Sequence, residues 1–470
     1  MNNPLDSAEF SRDPYPLLAA LRARGPVQQL RTDNGRTTWV VTGWAEARAA
    51  LADARLSKDT ARYFADRPDN RQLAPAVSRT MLATDPPHHG RLRKLAMKAF
   101  TPAAVARLEP RIRTIAEELA ARGSADLVEE FAVPLPITVI SELLGVPEPD
   151  RAAVRRWSHD LFAAAAPDTV DRASHALSDY MTRLIAARRA DLEDDVLSGL
   201  IAARDEADRL SEAELVSLAV LLVVAGHETT THLIGNGMVA LLRDDALRSR
   251  LRADPGLLPA AVEEFLRYDS PVTVATFRFA TEPFALGGVR VGAGDVVLVS
   301  PGAANRDPAR FVAPDEVRLD RHRRAGRPDR TDRPDHLGHP GCPGYPDRPD
   351  HPGHPGCPDR PGCPEHTRLH GEPEGTEAAD VTDVTEGTAW IEGMEGIEGT
   401  DRPGGHLSFG HGPHHCLGAP LARVEARIAF EVLLTRFPGI RPGVDSWDAL
   451  NWRRTRLLRG PANLPVILDR

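Results

Sequence analysis

The sequence predicts a mainly α-helical fold with a small β portion, on three observations. Alanine-rich and leucine-rich amphipathic segments dominate from Thr101 to Tyr268, a spacing that lays apolar side chains along one stripe of each helix. Short β-like runs are confined to the stretch ahead of Thr42 and to residues 272–299. A last apolar-periodic helix, Ala419 to Phe437, follows directly on a glycine-rich loop that holds one cysteine.

Taken in order, Pro16 to Arg24 reads as a helix, Val27 to Thr32 and Thr37 to Thr42 as paired strands, and Trp44 to Leu51 as a second helix. Asn34-Gly35 between the strands accepts the positive φ of a tight hairpin turn. Asp85-Pro86-Pro87 ends one segment, and a basic helix begins at His88-His89-Gly90-Arg91-Leu92-Arg93. Ser211 to Arg243 reads as one long helix, opened by a capping box in which Ser211 and Glu214 satisfy the first free amides. A helix from about Leu257 to Tyr268 follows, then strands Val272 to Phe279 and Val296 to Val299.

Two segments look built for chemistry rather than packing. In Phe409-Gly410-His411-Gly412-Pro413-His414-His415-Cys416-Leu417-Gly418 the glycines allow tight turning, Gly418 lets a flat ligand approach, and the helix starts just after the sulfur. The positive end of that helix favours the thiolate, the form that binds iron or attacks electrophiles; the bland alternative is a buried, inert cysteine. The second segment, Ala225-Gly226-His227-Glu228-Thr229-Thr230, puts polar residues and a glycine in the middle of an apolar helix. Glycine there costs about 1 kcal/mol against alanine, and buried polar groups need partners. Function explains such a defect; a threonine that back-bonds to a helical carbonyl and bends the helix also does.

The pattern Phe409, Gly410, Gly412, His414, Cys416, Gly418, then Leu421-Ala422-Arg423, resembles the haem-binding loop of the cytochrome P450 family. The resemblance covers nearly the whole chain outside one insertion. It implies that family's fold around a buried haem b (iron protoporphyrin IX), with Cys416 the axial ligand of the haem iron, Phe409 near the sulfur and His414 toward a propionate. Thiolate ligation favours cleavage of an O–O bond. Ala225 and Gly226 would then flank an oxygen-binding groove, with Glu228 the acid and Thr229 the alcohol of a proton relay. Glu264 and Arg267, three apart on one helix, resemble the family's structural pair, with Arg321 a candidate third partner. His89 and Arg93, four apart, and Arg278 resemble propionate-binding residues.

The formal net charge of −9 argues against nucleic acid as a partner. Arg91, Arg93, Lys94 and Lys98 cluster on one helix, where an acidic electron-transfer protein can dock, although a solvated basic helix accounts for them equally well. The polar start Met1-Asn2-Asn3-Pro4 has no basic-then-apolar pattern, and the longest apolar run, Leu218 to Ala225, is far short of the roughly 20 residues that cross a bilayer. A cytoplasmic protein without a membrane anchor is expected.

The sequence departs from the family at residues 321–405, a low-complexity insertion between two parts, 1–320 and 406–470, of a single haem domain. Its first half is rich in Pro, Gly, Asp, Arg and His, its second acidic and rich in Gly and Thr, so disorder is expected. His336-x-x-His339-x-x-Cys342 recurs as His351-x-x-His354-x-x-Cys357, with Cys363 nearby. These are soft ligands for zinc or copper, though repeat expansion without function explains them more simply. Outside the insertion Cys416 is the only cysteine, so no disulfide framework is expected.

The resemblance implies a haem-thiolate monooxygenase, an oxidoreductase fed by a ferredoxin and ferredoxin reductase, that oxidises a bulky, mostly apolar small molecule such as a polyketide, terpenoid or peptide intermediate of secondary metabolism. Residues 61–81, Phe162, Val272 to Phe277 and Leu457-Leu458 are the expected substrate-facing segments. A peroxide-driven relative usually lacks the acid and alcohol pair, and a non-catalytic docking scaffold typically loses the cysteine or the threonine; Glu228, Thr229 and Cys416 are all present.

Overall fold

The computed structural model describes residues 4–31, 37–65, 72–99, 101–123, 125–162, 166–193, 195–202, 210–322, 405–453 and 455–469. The insertion from 323 to 404, with both His/Cys repeats, and the Asn34-Gly35 turn lie outside them. Arg321 and His322, expected in the insertion, belong to the folded body as part of a 3₁₀ turn, Leu319–His322. At the other end the Trp44 indole N–H donates to the Gly405 carbonyl at 3.3 Å.

The helices that build the site are α1 (His88–Ala99), α2 (Pro102–Ala121), α3 (Pro134–Leu143), α4 (Glu148–Phe162), α5 (Pro167–Ala190), α6 (Glu212–Gly226), α7 (Glu228–Arg243), α8 (Leu258–Tyr268) and α9 (Ala419–Arg436). Apolar residues of α3, α6, α7, α8 and α9 share one core, including Leu135, Ala219, Leu241, Phe265 and Phe430. The capping box forms as expected: Ser211 Oγ accepts from the Glu214 amide while Glu214 accepts from the Ser211 amide. The single long helix does not. It divides into α6 and α7 at His227, where φ reaches −117°, inside the polar stretch that interrupts its apolar pattern.

Together α6 and α7 are long and apolar enough to cross a membrane, but most of that length is buried inside the protein, so their apolarity serves the core. Gly237 sets how closely α7 packs. A Cβ there would come within 2.3 Å of the Phe430 ring and 3.0 Å of Phe265, whose rings meet edge-on at 5.3 Å.

The β portion is a five-stranded sheet of β1 (Val27–Arg31), β2 (Thr37–Val41), β3 (Leu56–Ser57), β4 (Phe279–Ala280) and β7 (Val296–Val299), in the order β1-β2-β7-β4-β3. Strands β5 (Phe284–Leu286) and β6 (Val289–Val291) form a separate hairpin. The pairing of β1 with β2 is antiparallel, as expected; that of β2 with β7 is parallel. The expected strand from Val272 to Phe279 shrinks to Phe279–Ala280. Its remainder is pinned by scattered bonds instead of a ladder: a Val272–Leu458 bridge, Thr273 N–H to Leu457 O at 3.0 Å and Ala275 N–H to Val299 O at 2.7 Å.

Candidate functional site

The Cys416 loop folds on its glycines. Gly410 and Gly412 have φ of +74° and +70°, and a Cβ on Gly412 would come within 2.9 Å of the Ala52 backbone. Only glycine adopts this conformation without strain. The Cys416 amide donates to the Phe409 carbonyl at 2.8 Å, closing the loop, and the Arg423 guanidinium covers the Phe409 ring at 4.5 Å. Below, Ser408 Oγ donates to Leu266 O at 2.6 Å, and Asn305 Oδ1 accepts from the Leu407 amide at 2.7 Å.

Cys416 is open to solvent on one side and packed by the loop and α9 on the others. That desolvation pushes its thiol pKa up, against the Gly418 and Ala419 amides and the Arg93 and Arg423 charges, which pull it down. The helix end acts as expected, but packing outweighs it. Gly418 leaves the open side clear: its missing Cβ would lie 4.0 Å from the Cys416 sulfur, with nothing nearer.

Beside the loop is a buried group of cations. Lys58, Arg93 and Arg278 are 3%, 9% and 4% exposed, and His89 is 2% exposed. The His89 and His414 rings lie 4.0 Å apart. Burial and the neighbouring charges of Arg93 and Lys58 hold the His89 pKa down to about 4, and burial with Lys58, His89, Arg278 and Arg93 depresses His414 further. Desolvation lowers Lys58 well below its ordinary value and Arg278 to about 10. Among the described residues Asp85 is the one carboxylate that opposes them, and it is already engaged by Ser57 Oγ and the Lys58 amide. Arg93 Nε is buried without a partner. Three cations against one anion in a dry site is an incomplete structure, and a ligand with two carboxylates completes it. Haem fits: two propionates for the cations, iron for the sulfur.

Lys58 is missing from the sequence reading, and Asp85 enters it only where a segment ends. A lone lysine after a two-residue strand gave no periodic signal, and its burial follows from β3 pairing with β4. Of the basic residues on α1, Arg93 turns inward and Arg91 pairs with Glu214.

The Glu264–Arg267 pair is fully buried. Arg267 makes two bonds to Glu264, at 2.8 and 2.9 Å, and three to the carbonyls of Asn305, Pro314 and Glu316. All five guanidinium donors are thereby satisfied. Arg321 Nε joins at 3.0 Å from Glu264 Oε1.

In the central helices, Ala225 is exposed and Thr229 half-buried, while Glu228 is buried. Thr229 Oγ donates to the Ala225 carbonyl at 3.1 Å, the back-bond that also suits a bent helix. Gly226 faces Ile140 of α3, whose side chain would meet a Cβ at 3.1 Å, so its smallness serves helix packing. Glu228 turns toward α4. Its Oε1 lies 3.1 Å from His159 Nδ1 and 3.7 Å from His227 Nε2, and its Oε2 lies 3.7 Å from His232 Nε2 and 4.0 Å from Arg453 Nη1. Burial pushes the Glu228 carboxyl up, but the His159 hydrogen bond and the surrounding His227, His232 and Arg453 overcome it, leaving a net downward shift. Neither His159 nor Arg453 stood out in the sequence, since each joins Glu228 only through tertiary packing.

Of the expected substrate-facing segments, 272–273 and 457–458 meet through the bonds described above. Tyr63 is committed to an aromatic cluster with Phe64 and Phe277, at ring distances of 5.0 and 4.7 Å. A separate recess of about 780 Å³, lined in part by Asn236, Tyr268, Arg306 and Arg459, includes none of the predicted site residues except that it borders α7 and the end of α8.

A helical body, a cysteine on a glycine-built loop and an unneutralised cation pocket beside it define a haem-thiolate oxidoreductase. The chain belongs to the cytochrome P450 family, whose model matches residues 140–337 and 395–467. It is similar to the cytochrome P450 monooxygenase PikC of Streptomyces venezuelae, 39% identical over 97% of this chain and 92% of PikC. It is also similar to the mycinamicin IV hydroxylase/epoxidase of Micromonospora griseorubida, 38% identical over 95% of this chain and 94% of that enzyme. The solved structure of the tirandamycin C-bound P450 monooxygenase TamI matches with a TM-score of 0.76 and 37% identity, over 98% of this chain and 99% of TamI. The chain is thus a monooxygenase with a haem-iron cofactor, of the bacterial kind that draws electrons from a redox partner.

Proposed function

We propose that this enzyme oxidises a bulky, mostly apolar natural-product intermediate, by hydroxylation in the first instance, using electrons from a ferredoxin and ferredoxin reductase in the cytoplasm. The observation that carries the reading is the cation pocket beside Cys416, where Asp85 is the one opposing carboxylate among the described residues and Arg93 Nε has no partner. Haem b would be held by the Cys416 sulfur on its iron and by Lys58, His89, Arg93, Arg278 and His414 at its propionates. Phe409 and Gly418 would border its proximal side and Ala225 its distal side, while Gly226 packs on Ile140. Bound haem supplies dioxygen binding, one-electron chemistry and O–O cleavage.

The remaining work falls to the protein. The Cys416 loop holds the sulfur at the N-terminus of α9, where amide dipoles from Gly418 and Ala419 stabilise its charge. Thr229 keeps its hydroxyl beside the exposed Ala225, donating to the Ala225 carbonyl and leaving its oxygen lone pairs to accept a proton. Glu228 is the ionisable group next in sequence and the proton source for that hydroxyl. The Glu228-Thr229 pair supports dioxygen over peroxide as the oxidant. Glu264 and Arg267 brace the loop through Ser408 and Asn305. The folded haem domain spans residues 4–322 and 405–469, and the insertion takes no part in the chemistry.

Apolar natural products are screened for the spectral shift they induce in the haem, and the strongest binder is turned over with ferredoxin, ferredoxin reductase and isotopically labelled dioxygen. One labelled oxygen atom in the product supports the reading. Turnover with hydrogen peroxide alone, and none with the electron-transfer pair, contradicts it.

A further inference from the structure

The side chain nearest Glu228 is a histidine that faces two partners with opposite demands. His159 lies near the end of α4, and its side chain is 42% exposed where that of Glu228 is 7% exposed. Its Nδ1 is 3.1 Å from Glu228 Oε1 and 2.8 Å from Arg453 Nη1. An ionised carboxylate only accepts hydrogen bonds and a guanidinium only donates them. Toward Glu228, Nδ1 must carry a proton; toward Arg453 it must not. Both contacts cannot be good hydrogen bonds at once.

The surroundings sharpen this conflict. His227 Nδ1 is within 2.9 Å of the Val223 carbonyl, which fixes its proton there and leaves Nε2 bare toward Glu228, without a partner. Both ring nitrogens of His232 are buried and unpartnered as well. Arg155, one turn before His159 on α4, is occupied by Glu129 at 2.6 Å, and Arg453 reaches the same carboxylate only at 4.0 Å. Glu129, Arg155, His227, Glu228, His232 and Arg453 are the titratable and charged groups facing His159 from its own helix, from the turn before α3, from the central helices and from the C-terminal loop. Among the described residues no group of three or more acidic, histidine or cysteine side chains is arranged to hold a metal ion.

We propose that His159 is the proton entry of the Glu228–Thr229 relay, and that Arg453 competes with Glu228 for its Nδ1, so that one proton decides whether Glu228 is held or released. This rests on the reading of Glu228 and Thr229 as the relay. With a proton on Nδ1, the ring donates to Glu228 and holds it toward α4. In the transfer, Nε2 takes a proton from a solvent hydronium ion, which leaves as water, while the Nδ1–H bond breaks and an O–H bond forms on Glu228 Oε1. The ring stays neutral throughout. Its bare Nδ1 then accepts from Arg453, and the protonated Glu228, no longer tied to an N–H donor, is free to turn toward Thr229. Proton exchange with water returns the ring to its starting tautomer. His159 is a positioning and relay residue that does not touch substrate or cofactor.

Three variants separate these roles. In His159→Asn the amide nitrogen replaces Nδ1–H and keeps the bond to Glu228 but carries no proton. His159→Phe loses both functions. Glu228→Gln is the control for the relay itself. The holoenzyme is driven by a plant-type ferredoxin and its reductase without added substrate, from pH 6 to 8, and the share of electrons released as hydrogen peroxide is measured. The wild type should release more peroxide as pH rises, because the solvent protons that feed Nε2 become scarcer. His159→Asn should lose that pH dependence and approach the peroxide share of Glu228→Gln, while unfolding at the wild-type temperature.

A thermal double-mutant cycle between His159→Phe and Glu228→Gln reads the contact without turnover. The double variant should lose no more melting temperature than the worse single variant. If Glu228→Gln and Thr229→Ala raise peroxide but His159→Asn follows the wild type at every pH, the His159 inference is overturned and the relay stands. If neither Glu228→Gln nor Thr229→Ala changes peroxide, the relay reading falls first. Additive melting losses overturn the contact itself.

Discussion

Two buried clusters of charge adjoin the cysteine loop, and they are finished to different degrees. Around Glu264 every guanidinium donor of Arg267 has an acceptor, and Arg321 and the Arg318 amide also bond to the Glu264 carboxylate. Around His89 and His414, Lys58 and Arg278 share one carboxylate, Asp85, and Arg93 Nε has no partner. The first is closed by protein alone and therefore serves the fold. The second is left open, with room in its charge balance for the dianion proposed above. Identical residue types do structural work or ligand work according to whether the protein supplies the last partner.

Removing one member should therefore damage the two clusters in different currencies. Glu264→Gln leaves Arg267 and Arg321 buried without their anion, and it should cost about 3–5 kcal/mol of unfolding free energy with or without haem, as read by denaturant titration. Arg93→Met or Lys58→Met should leave the apoprotein as stable as the wild type, or more so, since a like charge is removed from a crowded site. Haem should instead transfer roughly 10- to 100-fold more readily to an acceptor globin, the loss of about 1.5–3 kcal/mol from a charged hydrogen bond. Equal loss of apoprotein stability in both clusters would break the comparison.

Acid offers a smaller and reversible test. Burial holds His89 and His232 down to about 4, whereas in the unfolded chain each titrates near 6.5. As pH falls below that value the unfolded chain takes up protons first. Stability present above pH 6.5 is lost progressively until pH falls through about 4, at about 1.4 kcal/mol per pH unit for each fully buried ring. Bound propionates would offset the His89 share and leave that of His232, so thermal melts from pH 7 to 5 should slope less steeply with haem than without. Equal slopes would place no anion beside His89.

Sequence alone made the helical class and the capping box at Ser211 legible, because each is written in local spacing, and the Cys416 loop and the Glu264–Arg267 pair legible through their resemblance to a family's motifs. Arg321 was legible as a partner of Glu264 but had been assigned to the wrong side of the insertion boundary. The division of the central helix at His227 was not foreseen, since apolar residues on both sides of Ala225 to Thr230 suggest one continuous stripe. The strand expected from Val272 shortened because its neighbours offer scattered carbonyls instead of a ladder. Lys58, His159 and Arg453 were invisible for a shared reason, since each matters through a residue distant in sequence and none breaks a local pattern; Asp85 was visible as a segment end but not as a partner of Lys58. Gly226 was read as room for a ligand, yet its missing side chain makes room for Ile140.

The most direct test of the sulfur-to-iron assignment is the absorption spectrum of the reduced, carbon monoxide-bound protein, compared between the wild type and Cys416→Ser. The wild type should show the red-shifted Soret band of thiolate ligation, and Cys416→Ser should lose that band along with monooxygenase turnover. A Cys416→Ser protein that keeps both, or a wild type that turns over fully without that band, would contradict the account.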